Sequence, residues 1–190
     1  MKKLAELFGS SSRELKSVRT ITVCAMLAAA AIILVNFRIE LTSTQRIGFS
    51  GIPNQLVAYL FGPAVSCLFA GALDIVKYLI KPVGAFFPGL TLVTMLAGLI
   101  YGFFLYRKPL KFTRVLAAHF LVCLVCNVIL NTLCLSILYG QAFMILLPPR
   151  IIQNLVKWPI DSFILYNVAR MLELSGVFRI VRGSRAAVTR

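Results

Sequence analysis

Apolar residues in this chain come in long, nearly unbroken stretches separated by short polar, basic or proline- and glycine-marked breaks. The helical or two-residue alternation of a water-exposed surface is missing from these stretches. The first covers 21–37, long enough to cross a hydrocarbon layer about 30 Å thick as a helix. It is long for the apolar core of a signal peptide and runs into Asn36-Phe37-Arg38 with no small-residue cleavage site, so it reads as a retained helix. A polar loop follows over 38–50. The second segment, 51–60, carries Pro53, Asn54 and Gln55 and is short for a full crossing. Phe61-Gly62-Pro63 breaks the chain, 64–80 forms a third helix, and Lys81-Pro82-Val83-Gly84 reads as a turn. A fourth helix spans 87–106, with Pro88 in the first turn where its missing N–H costs nothing. A basic connection (107–114), a fifth helix (115–138), a loop to 149 and a sixth helix (151–169) complete the pattern. The spacing predicts an all-α integral membrane protein: a single bundle of six transmembrane helices over 21–169, between a lead-in (1–20) and a basic tail (170–190).

Composition agrees. Of 190 residues, 59% are hydrophobic and 14% charged, and the mean hydropathy is +0.89. That is too few charged side chains to cover a soluble domain of this size. The net charge of +14 raises nucleic acid as a partner, but no nucleic-acid-binding motif accompanies it and the basic residues gather at segment ends. Fourteen of the 20 lysines and arginines fall in the lead-in, the 107–114 connection and the tail, which share one side if the number of spans is even. Positive flanks resist translocation, so both termini are expected in the cytoplasm of a multi-pass cell-membrane protein. The five cysteines all lie in apolar runs and read as small buried hydrophobes.

The informative residues are the polar ones left inside the apolar stretches, because a charge in hydrocarbon costs roughly 2.5–3.5 kcal/mol on insertion scales. Asp74 and Lys77 lie three apart, Lys157 and Asp161 four apart, so each pair shares a helical face. Such pairs either neutralise one another and hold the bundle together or form the floor of a polar pocket; the spacing permits both. Arg38, Arg46, Lys81 and Arg150 fall at the external helix ends against a single acid, Glu40. A cationic mouth of this kind suits a ligand bearing carboxylates or phosphates. Phe49, Tyr78, Phe86, Phe87 and Trp158 are aromatic neighbours, either interfacial belt or stacking surface. Asn54, Asn131, Gln153 and Asn154 add amides. Arg150, Gln153, Asn154 and Lys157 follow an i, i+3, i+4, i+7 pattern, a polar stripe expected to face the bundle. Cys123-Leu-Val-Cys126 has a CxxC spacing without a second ligand pair, so no metal site is expected. The one histidine, His119, has no evident acid or nucleophile partner in the sequence, and no catalytic set emerges. There is no phosphate-binding loop, so any use of ATP requires another polypeptide. Ala25 and Ala29 form a small-xxx-small pair in the first helix, suited to close helix approach either inside the bundle or to a partner.

The segments 46–50 (RIGFS), 79–84 (LIKPVG), 87–91 (FPGLT), 98–102 (GLIYG), 131–140 (NTLCLSILYG) and 149–154 (PRIIQN) resemble the folate-family S component of energy-coupling-factor (ECF) vitamin transporters. The similarity runs in order over roughly 20–170. It implies a six-helix subunit that captures a vitamin at the outer side and associates with a transmembrane T subunit and two ABC ATPases. It also implies that Ala25 and Ala29 form the docking face for the T subunit and that 38–50 is a lid. The expected ligand is folate or a reduced folate, with no cofactor. Arg46, Lys81 or Arg150 are candidates for its carboxylates, Asp74 or an asparagine (Asn54, Asn131, Asn154) for the pterin edge, Phe49, Phe86 and Phe87 for stacking, and Lys157 for the pocket. Lys157 and Asp161 depart from the apolar residues expected there. An S component for another vitamin such as riboflavin, or a small intramembrane enzyme or scaffold, are the alternatives; the outer cations favour an acidic ligand.

Overall fold

The computed structural model describes residue 11 and residues 17–36, 39–42, 45–48, 50–80, 86–106, 108, 110–140 and 143–175. Among these, six helices form an all-α bundle: α1 (Val18–Asn36), α2 (Ile52–Phe61), α3 (Pro63–Ile80), α4 (Pro88–Leu105), α5 and α6 (Phe143–Leu174). Helix α5 is continuous in three parts, Phe112–Val122, a π-helical stretch Cys123–Leu130, and Asn131–Tyr139. The expected loop after α1 instead carries a short hairpin, β1 (Ile39–Thr42) with β2 (Gln45–Ile47), paired antiparallel through Ile39↔Ile47, Glu40↔Arg46 and Thr42↔Gln45. Pairing two extended segments satisfies their backbone groups locally, which an open loop does not.

Helices α1, α3, α4 and the Phe112–Leu138 stretch are each long and apolar enough to cross a membrane. Their outward faces are hydrophobic, with Met26, Leu79, Leu92 and Ile137 largely exposed, as a lipid-facing surface requires. Helix α2 differs. Every residue in it except Asn54 is buried, and Leu56, Val57, Tyr59, Leu60 and Phe61 form the centre of the core with Val65, Tyr101, Leu105, Val115, Ala118 and Leu165. At about 1.5 Å per residue its ten residues rise about 15 Å, half the hydrocarbon thickness, so it sits wrapped by the longer helices.

The turn from α2 into α3 is tightly built. Gly62 adopts φ +91°, and a Cβ there would lie 3.0 Å from Ser11 Oγ and 3.1 Å from the Tyr106 ring. Pro63 opens α3, leaving Ala64 and Val65 with N–H groups that no helical turn can satisfy. Ser11, more than 50 residues away, supplies the cap: its Oγ accepts from Ala64 N (3.1 Å) and Val65 N (3.2 Å) and donates to the Phe61 carbonyl (2.7 Å). Helix α4 approaches the same end of α3 through Gly98 and Gly102, where a Cβ would come within 2.8 Å of the Ser66 carbonyl and 2.4 Å of Pro63 Cα. Glycine at this four-residue spacing lets two backbones touch.

Helix α6 departs from expectation. It begins at Phe143 rather than 151, absorbs Pro148 and Pro149, and runs to Leu174. Both prolines, and Pro159 further along, lie inside the helix, where each lacks the N–H of one helical hydrogen bond; in sequence they signal a boundary instead.

Two outcomes are expected for stability, measured by thermal unfolding of the detergent-solubilised protein. Ser11→Ala removes a buried cap and should cost about 1–2 kcal/mol, while Ser11→Thr retains the hydroxyl and a larger share of the stability. Gly102→Val places a branched side chain against Pro63 backbone and should cost more than the roughly 1–3 kcal/mol of ordinary overpacking.

Candidate functional site

The hairpin-proximal half of the bundle encloses a cavity of about 200 Å³. Five helices and the hairpin's exit contribute to its lining. The chain leaving the hairpin gives Gly48 and Ser50; the first turn of α2 gives Asn54 and Gln55; α3 gives Asp74 and Lys77; α4 gives Thr94 and Tyr101; α5 gives His119 and Asn127; and α6 gives Lys157 and Asp161. The cavity exists because α2 is short: the longer helices continue past its N-terminal end toward the hairpin and leave space where a sixth full-length helix would stand.

Toward the hairpin, Lys77 Nζ donates to the Ser50 carbonyl at 3.1 Å, tying α3 to the segment that follows β2. Asp74 Oδ2 accepts the Thr91 hydroxyl of α4 at 2.8 Å. At the deeper end a chain of contacts crosses four helices. Gln55 Nε2 donates to the Tyr101 hydroxyl at 3.2 Å, the Tyr101 and His119 rings meet edge-on at 5.7 Å, and Asp161 Oδ2 lies 3.8 Å from His119 Nε2 and 3.6 Å from Lys157 Nζ. Polar groups as buried as these are usually fully hydrogen-bonded. Here Asn54 Oδ1, Gln55 Oε1, His119 Nδ1 and Asp161 Oδ1 are buried without a hydrogen-bond partner, and all four residues line the cavity. A polar lining drawn from five helices inside an apolar bundle is the character of a ligand-binding cavity.

Of the residues singled out in the sequence, the structure brings Asn54, Asp74, Lys77, Lys157 and Asp161 to this cavity. Arg150 is buried on the bundle-facing side of α6, with Ile151, Ile152, Leu155 and Val156 exposed around the stripe, but it does not line the cavity. Asn154 spends its amide locally, donating to the Arg150 carbonyl at 2.9 Å. Phe86 is exposed and packs on Tyr78, with ring centroids 5.1 Å apart; Phe87 is half-buried beside Gly89, and Trp158 ties α6 to α5 through the Leu116 carbonyl at 2.9 Å. Asn131 is half-buried outside the lining, beyond the π-helical stretch that changes the register of α5. Phe49 and Lys81 lie outside the described residues, as does the side chain of Arg46, whose backbone sits in β2. Of the expected cationic mouth, Arg38, Lys81 and the side chain of Arg46 lie outside the described residues and Arg150 stands outside the lining; among the described residues that line the cavity, two lysines balance two aspartates.

Gln55, Tyr101, His119 and Asn127 are site residues that the sequence left unassigned. His119 does have an acid partner, Asp161, supplied by a helix 42 residues away and therefore invisible to local spacing. An ionisable side chain inside a membrane helix is itself a signal, and it was available for His119. Ala25 and Ala29 are both exposed on α1, on the face that also carries Ile21, Met26 and Ile33, and take no part in packing within the bundle.

Comparison with known proteins agrees with this geometry. A family model described as "ECF transporter, substrate-specific component" matches residues 19–169. The chain is 31% identical over 159 residues to the folate transporter FolT of Clostridium novyi (strain NT), covering 84% of this chain and 92% of that protein. It is 34% identical over 155 residues to the folate transporter FolT of Leuconostoc mesenteroides subsp. mesenteroides, covering 78% and 83%. Among solved structures, a crystal structure of FolT bound with folic acid superposes with a TM-score of 0.75 at 32% identity, covering 82% of this chain and 95% of that one. A six-helix membrane bundle around a polar cavity, with a family match over residues 19–169, places the chain among the substrate-specific components of ECF transporters, which are transport subunits and not enzymes.

Proposed function

We propose that the chain is a folate-capturing S component: it binds folate or a reduced folate in the cavity between the hairpin and Asp161, and delivers it inward through a T subunit and two ABC ATPases in the cell membrane. The carrying observation is a polar cavity lined from five helices, in a bundle whose solved neighbour holds folic acid. A volume of about 200 Å³ is below the roughly 300–1,000 Å³ of drug-sized ligand clefts. The flat bicyclic end of a folate suits the deeper part, and its glutamate extends toward the hairpin, on whose side Lys77 stands. Positive charge around both termini and in the 107–114 connection supports a cytoplasmic location for them, with the hairpin on the outer side. On α1, the exposed Ala25 and Ala29 suit a close helix-on-helix contact with the T subunit.

Titration of the detergent-solubilised chain with folate, 5-formyltetrahydrofolate and methotrexate should show saturable binding, with riboflavin inert; binding of riboflavin alone would transfer the chain to another vitamin. Lys77→Ala should weaken folate by roughly 10-fold, the loss of a charge-assisted contact to its glutamate. For the docking face, Ala25→Leu with Ala29→Leu should leave folate binding by the isolated chain unchanged and abolish its co-purification with a T subunit and ATPases.

A further inference from the structure

Helix α1 is held lightly. It packs chiefly on α2 and less on α3, and 17% of its Val18–Val35 stretch is buried, against 28–33% for the other three spanning stretches. Its inward stripe is Thr20, Val23, Cys24, Leu27, Ala31 and Val35. Ala31 and Val35, near the hairpin, are fully buried; toward the other end Thr20 is buried, and Val23, Cys24 and Leu27 are half-buried. Ala25 and Ala29 stand on the exposed side. Where that side points depends on where the first turns of α1 stand, and a helix end with few buried side chains is weakly fixed by packing.

A second contact fixes it from outside the helix. Ser11 is wholly buried at the α2–α3 turn, where its one hydroxyl bonds Phe61, Ala64 and Val65. Six residues separate it from Val18, a reach of at most about 25 Å. An anchor at that distance confines the start of α1 to the neighbourhood of the turn. Ser11 is absent from the cavity lining, and its burial keeps it from touching any partner.

We propose that Ser11 is the anchor of a tether that positions α1 for docking: by holding the chain ahead of α1 to the α2–α3 turn, it presents Ala25 and Ala29 in one orientation. This rests on the reading of that face as the T-subunit contact and adds what sets its position. Contact through small residues requires two helix backbones to approach closely and in register. A helix end free to shift spreads its face over many orientations, and affinity falls by the fraction that is competent. Ser11 is therefore a positioning residue, acting through the chain that follows it.

The test measures two quantities on the full-length chain: the Kd for folate, and association with a purified complex of T subunit and two ABC ATPases from the same organism. Ser11→Ala removes the anchor. A second variant inserts six glycine and serine residues between Glu14 and Leu15, which leaves every bond of Ser11 in place and lengthens only the tether. Both should weaken association by about fivefold or more, the lower end of coupling between sites, with the Kd for folate unchanged; Ser11→Thr should restore most of it. If Ser11→Ala does not fold, the insertion decides. Undiminished association of the insertion variant overturns the proposal, because the cap alone then suffices. A matching loss of folate binding in both variants assigns Ser11 and its tether to general stability, which also overturns it. Wild-type protein that binds folate but not the complex defeats the docking reading, and this inference with it; wild type and both variants associating alike defeats only the inference.

Discussion

Ten residues of α-helix rise about 15 Å, and a hydrocarbon layer is about twice as thick. Helix α2 therefore cannot present both ends to water, and the rest of the bundle is arranged to cover it. Its apolar side chains find a core made by α3, α4, α5 and α6, while its hairpin-proximal end stops partway and leaves the cavity above it. The opposite end demands compensation as well. There the chain must turn straight back into α3, and Gly62, the Ser11 cap and the glycine face of α4 all converge on that turn. A single short helix thus accounts for both the cavity and a closely packed corner of the bundle.

Lipid imposes the second constraint. Outside, the helices carry leucine, isoleucine and methionine; inside, the cavity carries lysine, aspartate, histidine and amides. Charges at such depth persist when they are paired or face a cavity. Lys157, Asp161 and His119 do both, since their mutual contacts leave one carboxylate oxygen without a partner. The two readings that spacing left open, mutual neutralisation and pocket lining, are therefore not exclusive: the charged groups lie against one another and also line the cavity.

The π-helical stretch in α5 belongs to the same logic. A turn closed by i→i+5 bonds holds an extra residue and shifts the register of everything beyond it. His119 and Val122 before the stretch and Asn127 inside it all line the cavity, whereas Asn131 after it does not.

Much of the fold was legible in the linear sequence, because a membrane bundle is written in long apolar runs whose physical requirement, about 20 residues per crossing, is one-dimensional. The runs at 21–37, 64–80 and 87–106 predict α1, α3 and α4 within a few residues, and the shortness of α2 is visible beside Pro53 and Gly62. The inward polar stripe from Arg150 and the Lys157–Asp161 pair follow from helical spacing alone. What only the tertiary structure decided is which polar groups meet. Prolines 148 and 149 stand inside α6, where local rules place a boundary. Gln55, Tyr101, His119 and Asp161 come from four helices separated by up to 106 residues, and their contacts depend on helix rotation set by glycine and core packing. Spacing specifies neighbours along one helix; neighbours across helices are specified by how the helices pack.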